Sequence, residues 1–515
     1  MAWYQGDSVR VNQSRCFAVV LVLLSALVCG CGGVEPAAPG IVVAFDGEPQ
    51  SLDPRIGLDA NASRVADLLH VSLTRSGPHG ERVGELAREW TLVDPTTLAL
   101  ELRQDFRFAD GTFVTADDVR ATYDAIRDPS AAWPRRSGLS AIEAVEVRDH
   151  YTVALRLREP FPPILEATGL PILPAAQARA PGVPTGAGPY RLAGAETRER
   201  IVLEPNPYWP GPKPRAARIT LRVVPDPVMR VLELQRGSID LVQETLEPEI
   251  QSALARDPAL RVRRSPGTSV AYLALNHEDP HLRDRRVRQA IALALDQPQL
   301  TRFALGDAGR PATGFLSPEH WAYAPLPPPR HDLRRARRLL DRAGYRDPDG
   351  PGPLPRFHVQ MKTSSQPARR RFAEAVQAAL ARVGIAVDIR TYEWGVLFAD
   401  VRNGNFQLAA LTWVGVTEPD HYFLTFHSTM LPPAGYNRGR YRSAVMDRLT
   451  ETARYAPTTD ERRRWYARVQ RRAAHDLPVI PLWWEDRVVV HADRLEGFEP
   501  APSGELRSLA TAWMR

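Results

Sequence analysis

Between positions 85 and 126 the hydrophobic pattern changes period twice. Leu98, Leu100 and Leu102 alternate with Ala99, Glu101 and Arg103, the two-residue repeat of a half-buried strand. Asp94-Pro95-Thr96 just before it is a turn signal, so the stretch predicts two strands. Phe106 and Phe108 carry the alternation on until Asp110-Gly111 breaks it at a residue that tolerates positive φ. Thr115 followed by Asp118 has the form of a helix start in which the hydroxyl satisfies an orphan amide. Val119, Tyr123 and Ile126 then recur at helical spacing.

The same alternation of periods runs through the rest of the chain. Leu333, Ala336, Leu339, Leu340 and Ala343 form one apolar stripe, with Arg334, Arg335, Arg337, Arg338 and Arg342 mostly opposite and Gly344 as the stop. Phe372, Val376, Leu380 and Val383 share one side of a helix that Gly384 ends, and Ile385, Val387 and Ile389 follow as a strand. Tyr272-Leu273-Ala274-Leu275-Asn276 reads as a strand leaving into a loop, and the apolar run from Leu408 ends at Trp413. Helix and strand in turn predict an α/β protein with mixed sheets. Proline, 47 in all, is concentrated at 160–189, 205–214, 311–329 and 348–355, beside strongly periodic segments, and marks loops and domain crossings there. No internal repeat is visible.

Composition narrows the function more than the fold. A chain of 515 residues has room for two or three packed domains. The 66 basic residues include only Lys213 and Lys362 as lysines, and the net charge is +6. The arginine runs lie on solvated faces of core-packed helices with no interleaved aromatic platforms, which argues against nucleic acid. All three cysteines, Cys16, Cys29 and Cys31, precede residue 32, so the body has no internal disulfide. The apolar run 16–30 follows Arg15 and ends in small residues; it is short for a membrane span and fits a secretory signal over residues 1–30.

One string imitates a catalytic motif. His277-Glu278-Asp279-Pro280-His281 matches the zinc-protease spelling, but that chemistry needs both histidines on one helical face. Pro280 lacks the amide and excludes His277 from any helix that begins there. No nucleophile elbow, phosphate-cradling loop or paired-cysteine motif is present, so no enzyme activity, cofactor or metal is expected.

The wording of 85–126 adds a resemblance. Leu86-Ala87 with Trp90, then Leu102-Arg103, Phe106, Phe108, Asp110-Gly111-Thr112, Val114-Thr115-Ala116-Asp117-Asp118-Val119, resembles the signature of periplasmic solute-binding proteins of family 5. These are the oligopeptide-, dipeptide- and nickel-type binding components of ABC importers. Gly186, Gly188, Pro189 and Tyr190, Asn206-Pro207-Tyr208-Trp209, the phrase 284–296, the helix running to Ala343-Gly344-Tyr345 and the segment 461–483 resemble further segments of the family. The likeness runs from about residue 41 to the C-terminus. Val28-Cys29-Gly30-Cys31 resembles a lipobox, with Cys31 as the lipidated residue and Cys29 the poorer fit. Residues 31–39 would then be a lipid-anchored tether on the periplasmic face of the cell envelope.

The resemblance implies a type II periplasmic-binding-protein fold with two lobes joined by a hinge. Lobe I would combine 40–55, 182–267 and 483–515; an inserted subdomain would occupy 56–181 and lobe II 268–482. The implied function is capture of a peptide-like or other small solute between the lobes and delivery to ABC permease and ATPase partners. A lipoprotein receptor that signals to a membrane sensor and an envelope hydrolase are the alternatives. The candidate ligand residues are Trp413, Glu418, Asp420, Tyr272, Asn276 and Glu48. Peptide-binding relatives carry an Asp three residues after this Trp, which pairs with the peptide's α-ammonium; here that position is Val416. Either Glu418 or Asp420 replaces the charge, or the ligand lacks a free ammonium. Trp321 and Trp394 read as packing residues, and His421 and His427 as structural.

Overall fold

Residue alternation on two long strands organises the molecule. The computed structural model describes residues 40–515 apart from 58, 132, 134–138, 198, 244, 245, 329 and 351. The leader, the lipobox with Cys31 and the tether lie outside the described residues. Strands Leu260–Leu275 and Val479–Ala492 pair antiparallel and form the middle of an eleven-stranded sheet. On one side follow Leu241–Val242, Ile41–Phe45, Ile219–Val223, Arg200–Pro205 and Tyr190–Thr197; on the other, Leu408–Trp413, Phe357–Ser364 and Ile385–Tyr392. Gly309–Pro311 adds to Val479–Ala492 off this path. Ile41–Phe45 and Phe357–Ser364 each pair in parallel with both neighbours, so the sheet is mixed.

Period two sends alternate side chains to opposite faces. Ala271, Leu273 and Leu275 enter a core with Ile291, Val376 and Leu380, whereas Val270, Tyr272 and Ala274 enter another with Phe315, Tyr422 and Tyr466. Ile41, Val43 and Phe45 pack with Val65 and Tyr190, while Ala44 packs with Leu234 and Ile239. Burial on both faces explains why these strands read as nearly continuous apolar runs.

The register of the two long strands shifts twice near the middle. Leu260 to Ser265 pair with Ala492 to Arg487, pairing resumes at Ser269 with Glu485, and a second shift follows Ala271. Gly267 sits in this gap, where an added Cβ would lie 2.1 Å from the Glu485 carbonyl oxygen. Only glycine admits that approach.

The 85–126 pattern folds as predicted. Ala87–Asp94 and Thr97–Leu102 form a hairpin within a four-stranded antiparallel sheet completed by Thr152–Leu157 and Ile142–Asp149. Asp94 accepts from the Thr96 amide at 2.8 Å. Gly111 has φ of +92°. Helix Ala116–Arg127 buries Val119, Tyr123 and Ile126. At its start Thr115 and Asp118 form a capping box, in which Asp118 Oδ2 accepts from the Thr115 amide at 2.8 Å and from its hydroxyl at 3.0 Å. Gly186 and Gly188 owe their identity to contact, since an added Cβ would fall 1.8 Å and 2.5 Å from the carbonyl oxygens of Leu69 and Leu68.

Candidate ligand-binding site

Strand Leu408–Trp413 ends where the long-strand register breaks. Trp413 pairs with Val270, and the Val416 amide donates to the Thr268 carbonyl at 2.9 Å. This places the turn after Trp413 against the gap that contains Gly267. Tyr272 lies two residues further along the adjacent strand, so its ring falls on the same face as Trp413 and stacks on it, with centroids 6.0 Å apart and planes 12° apart. His421 meets Trp413 edge-on at 4.5 Å, and Tyr436 packs at 5.4 Å.

The fourth wall is a cation that sequence reasoning missed. The Arg438 guanidinium lies over Trp413 at 4.2 Å, over Phe398 at 4.9 Å and over Tyr436 at 6.0 Å, and Nη1 donates to the Tyr272 hydroxyl at 3.3 Å. Buried Asn437 fixes the loop between Tyr436 and Arg438. Its amide nitrogen donates to the carbonyls of His427 and Tyr441, and its oxygen accepts from the Tyr441 amide at 3.0 Å. Arg438 is 25 residues beyond Trp413 in the chain, so local pattern could not join them; the one signal was two arginines and two tyrosines among glycines at 435–441. Burial and the Arg438 charge hold His421 down at about 3, so its ring is neutral at ordinary pH. Burial pushes the Tyr272 hydroxyl up to about 12.

Glu418 and Asp420 are engaged elsewhere. Glu418 pairs with Arg462, and Asp420 lies 3.6 Å from Arg454 and accepts from the Tyr466 hydroxyl at 3.4 Å. Burial, with Glu166 and Asp420 close by, raises Glu418 to about 7 against the pull of Arg462. A buried carboxylate with its own arginine is not free to replace the charge absent at Val416. Val416 itself is buried in the apolar core. Around this network segments far apart in sequence meet. Arg454 covers Phe161 at 4.8 Å, the Trp321 amide donates to the His79 carbonyl at 3.0 Å, and His320 Nε2 donates to the Thr417 carbonyl at 3.0 Å. Gly80, at φ +73°, packs so closely that an added Cβ would meet the His320 ring at 3.0 Å.

The remaining candidates separate from this cluster. Asn276 is buried and structural: its amide donates to the carbonyls of Gly404 and Phe406 at 2.9 Å. Glu48 is exposed in the loop after the first strand and makes no hydrogen bond among the described residues. Trp394 does not pack into the core; it is 53% exposed at the head of helix Trp394–Asn403 and stacks on Phe398 at 5.7 Å, which extends the aromatic wall beyond Arg438. Trp321 is half-buried against the core beneath Arg462, and His427 bonds Thr429 and Glu451. The zinc-like string dissolves into unrelated contacts. His277 Nε2 donates to the Pro478 carbonyl at 2.9 Å, and His281 bonds the Tyr345 hydroxyl while stacking on Phe357. Among the described residues no group of three or more metal-ligating side chains converges.

Residues 81–430 match the family model of the bacterial extracellular solute-binding proteins, family 5. The chain belongs to this family. It is therefore a family 5 solute-binding protein, the component that captures a solute for an ABC importer, and its mixed α/β architecture is that of periplasmic binding proteins. Similar to it is a protein described as probable di/tripeptide-binding protein 5 of Pseudomonas aeruginosa (strain UCBPP-PA14), 26% identical, the match covering 91% of this chain and 95% of that protein. The oligopeptide-binding protein AppA of Bacillus subtilis, solved in complex with a nonapeptide, superposes with a TM-score of 0.75 at 24% identity over 93% of this chain and all of that one. AgaA of A. tumefaciens R10, solved with agropinic acid, superposes with a TM-score of 0.73 at 25% identity over 92% and 98% of the two chains. Among the described residues of this family 5 protein no helix is long and apolar enough to cross a membrane.

Proposed function

We propose that this solute-binding protein encloses its ligand between two lobes, against a wall built from Tyr272, Trp413, Tyr436 and Arg438. The observation that carries the reading is the convergence of these side chains beside the break in the two long strands. Lobe I comprises 40–55, 182–267 and 483–515, with 56–181 inserted and 268–482 as lobe II. The break opposite Gly267 lies at Glu485 and Arg487, a few residues past the boundary read from the sequence, and makes the natural pivot. Contacts of His79 with Trp321 and of Phe161 with Arg454 hold the mouth in a closed arrangement. Glu418 and Asp420 act in that closure and not as ligand contacts.

Ligand binding shifts the population toward the closed form only by the difference in its affinity for the two forms. A stacked aromatic wall supplies apolar burial, and a few polar groups set orientation. The protein acts as a binder, not a catalyst, and hands its solute to the permease and ATPase. The relatives' ligands, a nonapeptide in one case and agropinic acid in another, support a small solute without fixing its kind. Native mass spectrometry of the gently purified chain is expected to show a retained small molecule that Trp413→Ala releases. Equal retention by the variant contradicts this site.

We further infer that Cys31 carries the lipid that holds the protein at the envelope, since small residues precede it as at a processing site. Cys31→Ser should abolish metabolic palmitate labelling and free the protein from membranes. Unchanged labelling contradicts the anchor.

A further inference from the structure

The charge of the ligand wall is the reverse of what an ammonium needs. Arg438 is half-buried, and among the described residues no carboxylate pairs with it. Among the described residues its one side-chain hydrogen bond is that to Tyr272, and three rings surround the rest of the group. A guanidinium carries five N–H donors, and aromatic faces satisfy its charge without using them. The neighbouring arginines differ. Arg454 faces Asp420 and Arg462 faces Glu418, so the two acids that follow Val416 in the chain are already matched. Val416 contributes an apolar side chain to the core and no charge. Two further polar atoms in the cluster are buried with no partner, the Trp413 indole Nε1 and His421 Nε2. Trp413 Nε1 carries a proton, and neutral His421 carries one on Nε2 in the corresponding tautomer, so both can donate. Unmet buried donors are costly, and an incoming acceptor removes that cost.

We propose that this wall binds an oxyanion of the captured solute, a carboxylate or a phosphate-type group on a flat or apolar body, and disfavours a free ammonium at the same place. The inference rests on the reading of this cleft as the ligand site. An ammonium here would face the Arg438 charge with no carboxylate to pair with. An oxyanion would meet donors in the plane of a guanidinium held rigid by stacking, which suits bidentate recognition.

The test uses the full chain and one C-amidated tripeptide in four forms: free amine, acetyl, succinyl and phosphonoacetyl. Amidation removes the other carboxylate, so calorimetry reads the charge at the amino end alone. Either the succinyl or the phosphonoacetyl form should bind about tenfold or more tighter than the acetyl form, with the free amine weakest; which anion leads distinguishes carboxylate from phosphate-type ligands. Arg438→Gln should erase the difference, and Arg438→Lys should keep part of it. Matching circular-dichroism melts for the two variants separate lost charge from lost folding. Tightest binding by the free amine, an anion preference that survives in Arg438→Gln, or no binding of either anionic form overturns the proposal. If it falls while the co-purified solute still depends on Trp413, the cleft stands and only the oxyanion is wrong. If nothing depends on Trp413, the cleft reading itself fails.

Discussion

Glu418 is a buried acid whose proton affinity is set by its surroundings. Burial raises it to about 7, Glu166 and Asp420 push the same way, and Arg462 opposes them. A folded-state value above the unfolded one means the folded chain holds the proton more tightly. Its contribution to stability is therefore complete below about 4.5 and is lost as pH rises through about 7. The melting temperature of the wild type relative to Glu418→Gln should fall between about pH 5 and about pH 8. A flat or rising difference contradicts the raised value. At this scale the sequence made Trp413 and Tyr272 legible, because strand ends and alternation locate a ring on a face. It could not reveal that Glu418 was taken by Arg462, 44 residues on, nor that Arg438 would reach Trp413. Both facts depend on how separate segments meet.

Elements were more legible than residues, because their periods are local. The hairpin 87–102, helix Ala116–Arg127, helix Leu333–Arg342 and the edge strand Ile385–Tyr392 follow from alternation, helical spacing and glycine stops. Register was not legible. Leu260–Leu275 is one strand of 16 residues with two shifts against its partner. Part of it, from Leu260 to Ser269, carries the charges of Arg261, Arg263 and Arg264 and lacks a clear period. Gly267 is the critical residue of this element, since its place against Glu485 leaves no room for a methyl group. Gly267→Ala should destabilise the protein by about 1–3 kcal/mol through forced backbone displacement, read as a lower urea midpoint. An unchanged midpoint shows that the close approach is not required.

At the scale of the whole molecule, five apolar cores among the described residues flank one continuous sheet and the adjoining antiparallel sheet. Among the described residues two strands run through the middle, and their pairing lapses between Ser265 and Ser269. The proposed pivot there would leave the cores intact on each side, so opening would expose the His79–Trp321 and Phe161–Arg454 contacts without unfolding either half. The family resemblance conveyed this architecture as a whole, whereas composition and periodicity conveyed only mixed α/β. A chain order that leaves one half of the sheet, builds the other and returns has no local signature. Small-angle X-ray scattering of the same preparation, first carrying its co-purified solute and then stripped by unfolding and refolding, tests closure around a ligand most directly. The loaded protein should give a profile that fits this structure, and the stripped protein a larger radius of gyration that falls again when solute is restored. Identical profiles, with binding verified in the same samples, contradict enclosure between two moving lobes.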